Sequence, residues 1–94
     1  MKKLSNSDRK SLRSQAHPLK PVVMIGQSGL TEAVLAEIDI ALNAHVLIKI
    51  SIRGADKKER IEQGKKIASQ LNADVIDQIG GITVLYRPID NISR

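Results

Sequence analysis

A single α/β domain is the fold class this sequence predicts, with elements in the order α-β-α-β-α-β-β and helices packed on a four-stranded mixed sheet. Three observations lead there. Ninety-four residues make one domain, with no room for a second core. Two apolar runs are each followed by an amphipathic helix, and crossover helices require parallel strand pairs. The last two runs flank Gly80-Gly81, a two-residue hairpin turn that adds an antiparallel strand.

Leu4 to Ala16 reads as the first helix. Ser5 is a good N-cap, and Asp8 three residues on completes a capping pattern. Leu12 and Ala16, with Leu19 beyond, form a thin apolar stripe. Arg9 and Arg13 share a face, and Lys10 neighbours Arg13, which mildly destabilises an isolated helix unless something negative lies over it. His17-Pro18 ends the helix, because the residue before proline is pushed out of the α region.

Val22 to Ile25 is the first strand, and its unbroken apolar character predicts cover on both faces. Pro21 stands at its first position, where a missing donor is tolerated. Thr31 caps a helix reaching about Asn43, whose buried side is Val34, Leu35, Ile38, Ala41 and Leu42. Val46 to Ile52 alternates, with Val46, Ile48, Ile50 and Ile52 on one face and Leu47, Lys49 and Ser51 on the other. After Arg53-Gly54, Asp56 and Glu59 form a second capping pattern and open a helix to about Leu71. Gly64 lies on its stripe and predicts close packing on the sheet; Lys57, Lys58, Arg60, Lys65 and Lys66 are expected on its solvent side. Asp74 to Ile79 and Ile82 to Arg87 are the last two strands, and residues 88–94 form a polar tail.

Charge is unevenly distributed. The net charge is +5, and residues 1–20 carry Lys2, Lys3, Arg9, Lys10, Arg13 and Lys20 against Asp8 alone, so the whole surplus lies at one end. That asymmetry points to a polyanionic partner, nucleic acid before an anionic membrane, with a merely solubilising arm as the plain alternative. Tyr86 is the only aromatic residue. Readers of single-stranded bases need rows of aromatic platforms, so a nucleic acid would be held here by its phosphate and sugar backbone. The chain lacks cysteine and any apolar run near the roughly 18 residues of a membrane span. A cytoplasmic protein is expected.

Between the first strand and the second helix lies Gly26-Gln27-Ser28-Gly29. A strand, a Gly-x-x-Gly turn and a helix N-terminus together can face backbone N–H groups toward an anion. Two glycines in a four-residue turn also occur in plain turns, and the pair alone does not decide between these.

His17-Pro18-Leu19-Lys20-Pro21-Val22-Val23, Ile25 to Glu32 and Val84-Leu85-Tyr86-Arg87 together resemble the CRM domain, in its small stand-alone bacterial, YhbY-like form. The likeness covers nearly the whole chain as one domain, residues 1–94. It implies an RNA-binding module with a fold similar to the C-terminal domain of bacterial translation initiation factor three. It further implies a role in ribosome assembly on precursors of the large subunit, and a loop comparable to the GXXG loop that clamps backbone in KH domains. On that basis RNA contacts are expected at Gly26, Gln27, Ser28 and Gly29. Arg9, Lys10, Arg13 and Lys20 are expected as phosphate contacts if the first helix packs near the loop. Glu32 favours the helix dipole but repels a phosphate set too close, which places bound backbone toward Gly26. Lys49 and Arg87 are expected to extend the basic surface.

Catalysis is not expected. The glycines are followed by no P-loop Lys-Ser/Thr; His17 and His45 stand in separate connections without ligand-spaced partners; the acids are scattered singly. His17 could cap the first helix as easily as touch RNA. The reading is therefore a monomeric protein bound to ribosomal RNA of the large-subunit precursor, with no cofactor, metal, membrane or small-molecule substrate. The alternative is a non-enzymatic adaptor docking on ribosomal proteins.

Overall fold

The computed structural model describes residues 4–26 and 29–88; Met1 to Lys3, Gln27, Ser28 and the tail beyond Pro88 lie outside the described residues. The elements are α1 (Asn6–Ala16), β1 (Pro21–Ile25), α2 (Glu32–His45), β2 (Leu47–Ile52), α3 (Lys57–Leu71), β3 (Asp74–Ile79) and β4 (Ile82–Tyr86). Their order is the expected one.

The helix starts were written in local chemistry. Ser5 and Asp8 form a reciprocal capping box on α1, Asp56 and Glu59 form another on α3, and the Thr31 hydroxyl accepts the Val34 N–H at the start of α2. Each satisfies donors that a helix start otherwise leaves unpaired. The end of α2 departs from expectation. The helix runs on to His45, and Val46 is a one-residue joint with φ +69° rather than the first residue of a strand. Positive φ crowds a β-branched side chain and costs on the order of 1–3 kcal/mol. Two bonds hold it there: Val46 N–H to Leu42 O and Arg87 N–H to Val46 O, both 2.9 Å.

The sheet order is β1-β2-β4-β3. β1 and β2 are parallel, and β4 is antiparallel to both β2 and β3. The second crossover therefore skips a position, and the closing hairpin drops β4 into the gap. β2 and β3 run the same way but are not neighbours.

One face of the sheet is closed. Val23, Ile25, Ile48, Ile50, Ile52 and Leu85 meet Ile38 and Leu42 of α2 and Ile67 of α3 in one buried cluster. Each such aliphatic side chain contributes roughly 1.5–3 kcal/mol on burial. Gly64 packs as closely as its position on the helix stripe predicts, since a Cβ there would lie 2.5 Å from Gln78 Nε2. The other face carries α1, whose Leu12 and Ala16 bury Ile76 and Val84 beside Leu47 and Tyr86.

β1 is not covered on both faces. It is an edge strand, and Val22 and Met24 are 50% and 59% exposed. An apolar run does not distinguish a central strand from an edge whose outer face is left open.

Candidate nucleic-acid interface

The β1–α2 connection leaves the end of the edge strand. Gly29 has φ +77° and donates its N–H to Gly26 O at 3.0 Å, closing a turn. That turn needs glycine at position 29, where a side chain would be strained. Gly26 is different. Its φ is not positive, and no described atom lies within 4 Å of where its Cβ would be. Among the described residues nothing requires glycine there, and the space where its Cβ would stand is open. Gly29, by contrast, already spends its N–H within the turn. Gln27 and Ser28, the other two expected loop contacts, lie outside the described residues.

Among the described residues α1 has its buried contacts on the sheet, not on Gly26 or Gly29. It packs across β2, β4 and β3 on the face opposite α2. Between α1 and the loop lies a stretch of sheet on which Met24 and Ile79 are exposed and Ser51 is buried. Met24, Ser51, Ile82 and Ile79 form one row across the strands, through the pairs Met24–Ser51, Ser51–Ile82 and Ile79–Ile82. A second row, Lys49, Val84 and Asp77, runs beside α1. Gly26 is two positions past Met24, so Lys49 and Gly26 are separated by about 13 Å along the strands, at roughly 3.3 Å per residue.

The expected cations fall in different places. Arg13 is exposed and borders one cavity with His17 and Lys49 on the open face. Lys10 is exposed on the same helix. Arg9 is half-buried and donates Nη1 to Val75 O at 2.9 Å, which fastens α1 to β3. Lys20 precedes β1 at the end away from the glycine loop, in a groove with Leu19, Val22 and His45. Lys49, on the open face as expected, donates Nζ to His17 O at 3.1 Å and keeps two further donors. His17 itself is the C-cap residue of α1.

Two arginines correct the sequence reading. Arg87 does not extend the basic surface: its guanidinium bonds Asp39 Oδ1 at 2.7 Å, Leu71 O at 2.9 Å, Asp39 O at 3.1 Å and Asn43 Oδ1 at 2.9 Å, tying α2 to the end of α3. Arg60 is not on the solvent side of α3: it donates Nε to Gly80 O at 2.9 Å and Nη1 to Ala55 O at 2.7 Å, holding the hairpin turn. Tyr86 packs partly buried among the α1 contacts and presents no stacking platform.

The family model for the CRS1 / YhbY (CRM) domain matches residues 4–87. A Haemophilus influenzae protein named RNA-binding protein is 47% identical over 88 residues, spanning 94% of this chain and 89% of that one. A Pseudomonas aeruginosa protein named as a probable RNA-binding protein is 36% identical over 98 residues, spanning 97% and 94% of the two chains. The solution structure of a Staphylococcus aureus protein superposes with a TM-score of 0.84 at 25% identity, covering 97% and 95%. This chain is a member of the CRS1 / YhbY (CRM) domain family.

Proposed function

We infer that this protein binds RNA by its phosphate backbone and acts as a ribosome-assembly factor on ribosomal RNA of the large-subunit precursor. The observation that carries the RNA part is Gly26. It is a glycine with ordinary backbone geometry and open space around it, at the end of a strand beside a helix N-terminus. A side chain is missing where the fold has no need to lose it, and close approach of a ligand backbone supplies the reason. The names of the relatives point the same way. Arg13 and Lys49, with Lys10 on the same helix, offer cations on the sheet face next to it, and one strand of RNA can span the interval to Gly26. The assembly role follows from the family resemblance and from the N-terminal charge surplus, which suits a large polyanion.

The test is binding of the full chain to precursor-rRNA fragments and to a mixed-sequence control, titrated with salt. A backbone binder shows steep salt dependence and comparable affinity across structured RNAs. Gly26→Asp should lose at least tenfold in affinity while its circular dichroism and melting temperature stay as in the parent. If no naked RNA binds even at low salt, an adaptor docking on ribosomal proteins becomes the better reading.

A further inference from the structure

Side chains alternate along a strand, so in a regular β3 Asp77 would share the side of Val75 and face the core beneath α2 and α3. A bulge prevents this. The register shifts between Val75 and Asp77, Ile76 is the extra residue, and Asp77 pairs with Val84 while Ile79 pairs with Ile82. Both side chains thereby come to the open face, an outcome for which bulges are used near functional sites. There Asp77 helps line a cavity of about 240 Å³ with Arg13, Lys49, Ile79, Ile82 and Val84.

An acid in this position needs a reason. Its Oδ1 accepts the Gln78 N–H at 3.0 Å, and among the described residues no Lys or Arg nitrogen lies within 4.0 Å of it. On a surface that receives phosphate, a half-buried carboxylate repels the ligand unless it meets a donor. Lys49, Val84 and Asp77 are successive members of one row, which sets the Lys49 and Asp77 backbones about 10 Å apart. The cavity thus has cations on one wall, a carboxylate on the other and an apolar floor. Ile79, 68% exposed, extends that floor toward solvent.

We propose that this cavity is a subsite for one unstacked guanine, with its phosphate on the Arg13–Lys49 side and its Watson–Crick edge on Asp77. The proposal rests on the RNA-binding reading above and adds base selection to it. An ionised carboxylate only accepts hydrogen bonds. Guanine presents two adjacent donors, N1–H and N2–H, that match the two carboxylate oxygens as a guanidinium fork does. Uracil sets one N–H between two carbonyl oxygens, which the carboxylate repels. Adenine and cytosine offer an amine beside an acceptor nitrogen. The cavity is smaller than the roughly 300–1,000 Å³ of drug-sized sites, which suits one base rather than two. Splayed bases in RNA loops and bulges are read in this way, along the Watson–Crick edge.

The experiment compares low-salt binding of the full chain to nonauridylate and to nonamers with a single central G, A or C, beside a precursor-rRNA fragment. The G nonamer should bind about tenfold more tightly than the others, the discrimination of one good bidentate contact. Asp77→Asn keeps an oxygen for Gln78 N–H but loses the second acceptor, so it should bring all four nonamers within twofold of one another. Nonamers that bind alike, or not at all, while the rRNA fragment binds would overturn the guanine subsite and leave the backbone reading standing. A preference for another base, or a guanine preference that survives Asp77→Asn, would overturn it as well. If no RNA binds, both readings fall together.

Discussion

The two faces of the sheet follow different rules. Under α2 and α3 every inward residue has a neighbour that accounts for it: Ile25, Ile48, Ile50, Ile52 and Leu85 are sealed against Ile38, Leu42 and Ile67. On the opposite face α1 covers Leu47, Tyr86, Ile76 and Val84 and then stops, leaving Met24 and Ile79 exposed. A residue on the closed face is explained by folding. A residue on the open face is not, and the cost of exposing apolar side chains there is offset only when something covers them. The difference separates residues that the core accounts for from residues that it does not.

That separation can be broken by experiment. The largest effect should come from the closed face, where Ile50→Ala removes a fully buried side chain and should cost about 2–5 kcal/mol in urea denaturation. Met24→Ala on the open face should stay within about 0.5 kcal/mol of the parent in the same measurement. Equal losses would erase the distinction between the faces. Next comes RNA affinity: Arg13→Glu with Lys49→Glu should lower thermal stability modestly, through loss of the Lys49–His17 bond, but weaken binding by tenfold or more. It should also lower the salt slope by about 1.4, at about 0.7 for each lost phosphate contact on single strands. An unaltered slope would remove the α1 side of the open face from the interface. The smallest effect sharpens the closed face. Gly64→Ala should cost on the order of 1 kcal/mol, because the new methyl displaces the Gln78 amide from Arg60 O and Thr83 Oγ1. Alanine's better helix propensity offsets part of that. In a Gln78→Ala background the same change should be neutral or stabilising; a persisting loss would mean that the helix rests on the backbone of β3, not on this side chain.

What the sequence made legible is what is encoded over a few residues. Ser5-Asp8 and Asp56-Glu59 are caps readable at a spacing of three, and Gly80-Gly81 is a turn readable at a spacing of one. Pairing over longer distance was harder to read. The crossover through α3 predicts parallel strands, but only the hairpin's folding back shows that β4 takes the place beside β2. Val22-Val23-Met24-Ile25 has the same composition whether it lies at the centre or at the edge. Arg60 and Arg87 have the charge of surface residues, and among the carbonyls they reach are Gly80, 20 residues away, and Leu71, 16 residues away. Asp77 was hidden for a further reason. A bulge reverses the alternation from which its side of the sheet would be read, and no residue type in Val75-Ile76-Asp77 announces it. The glycine turn was located by sequence; that Gly26 stands in open space required coordinates.

Val46 has one further consequence. Because a single residue joins α2 to β2, there is no slack between helix and strand, and its left-handed backbone is pinned by bonds to Leu42 and from Arg87. The direction of α2 and that of β2 are therefore set together, with no loop between them. The Thr31 end of α2 lies by the glycine turn, and Lys49 sits on β2. The fold thus sets the interval between the glycine turn and Lys49, and an RNA touching both, as proposed above, would have to match it.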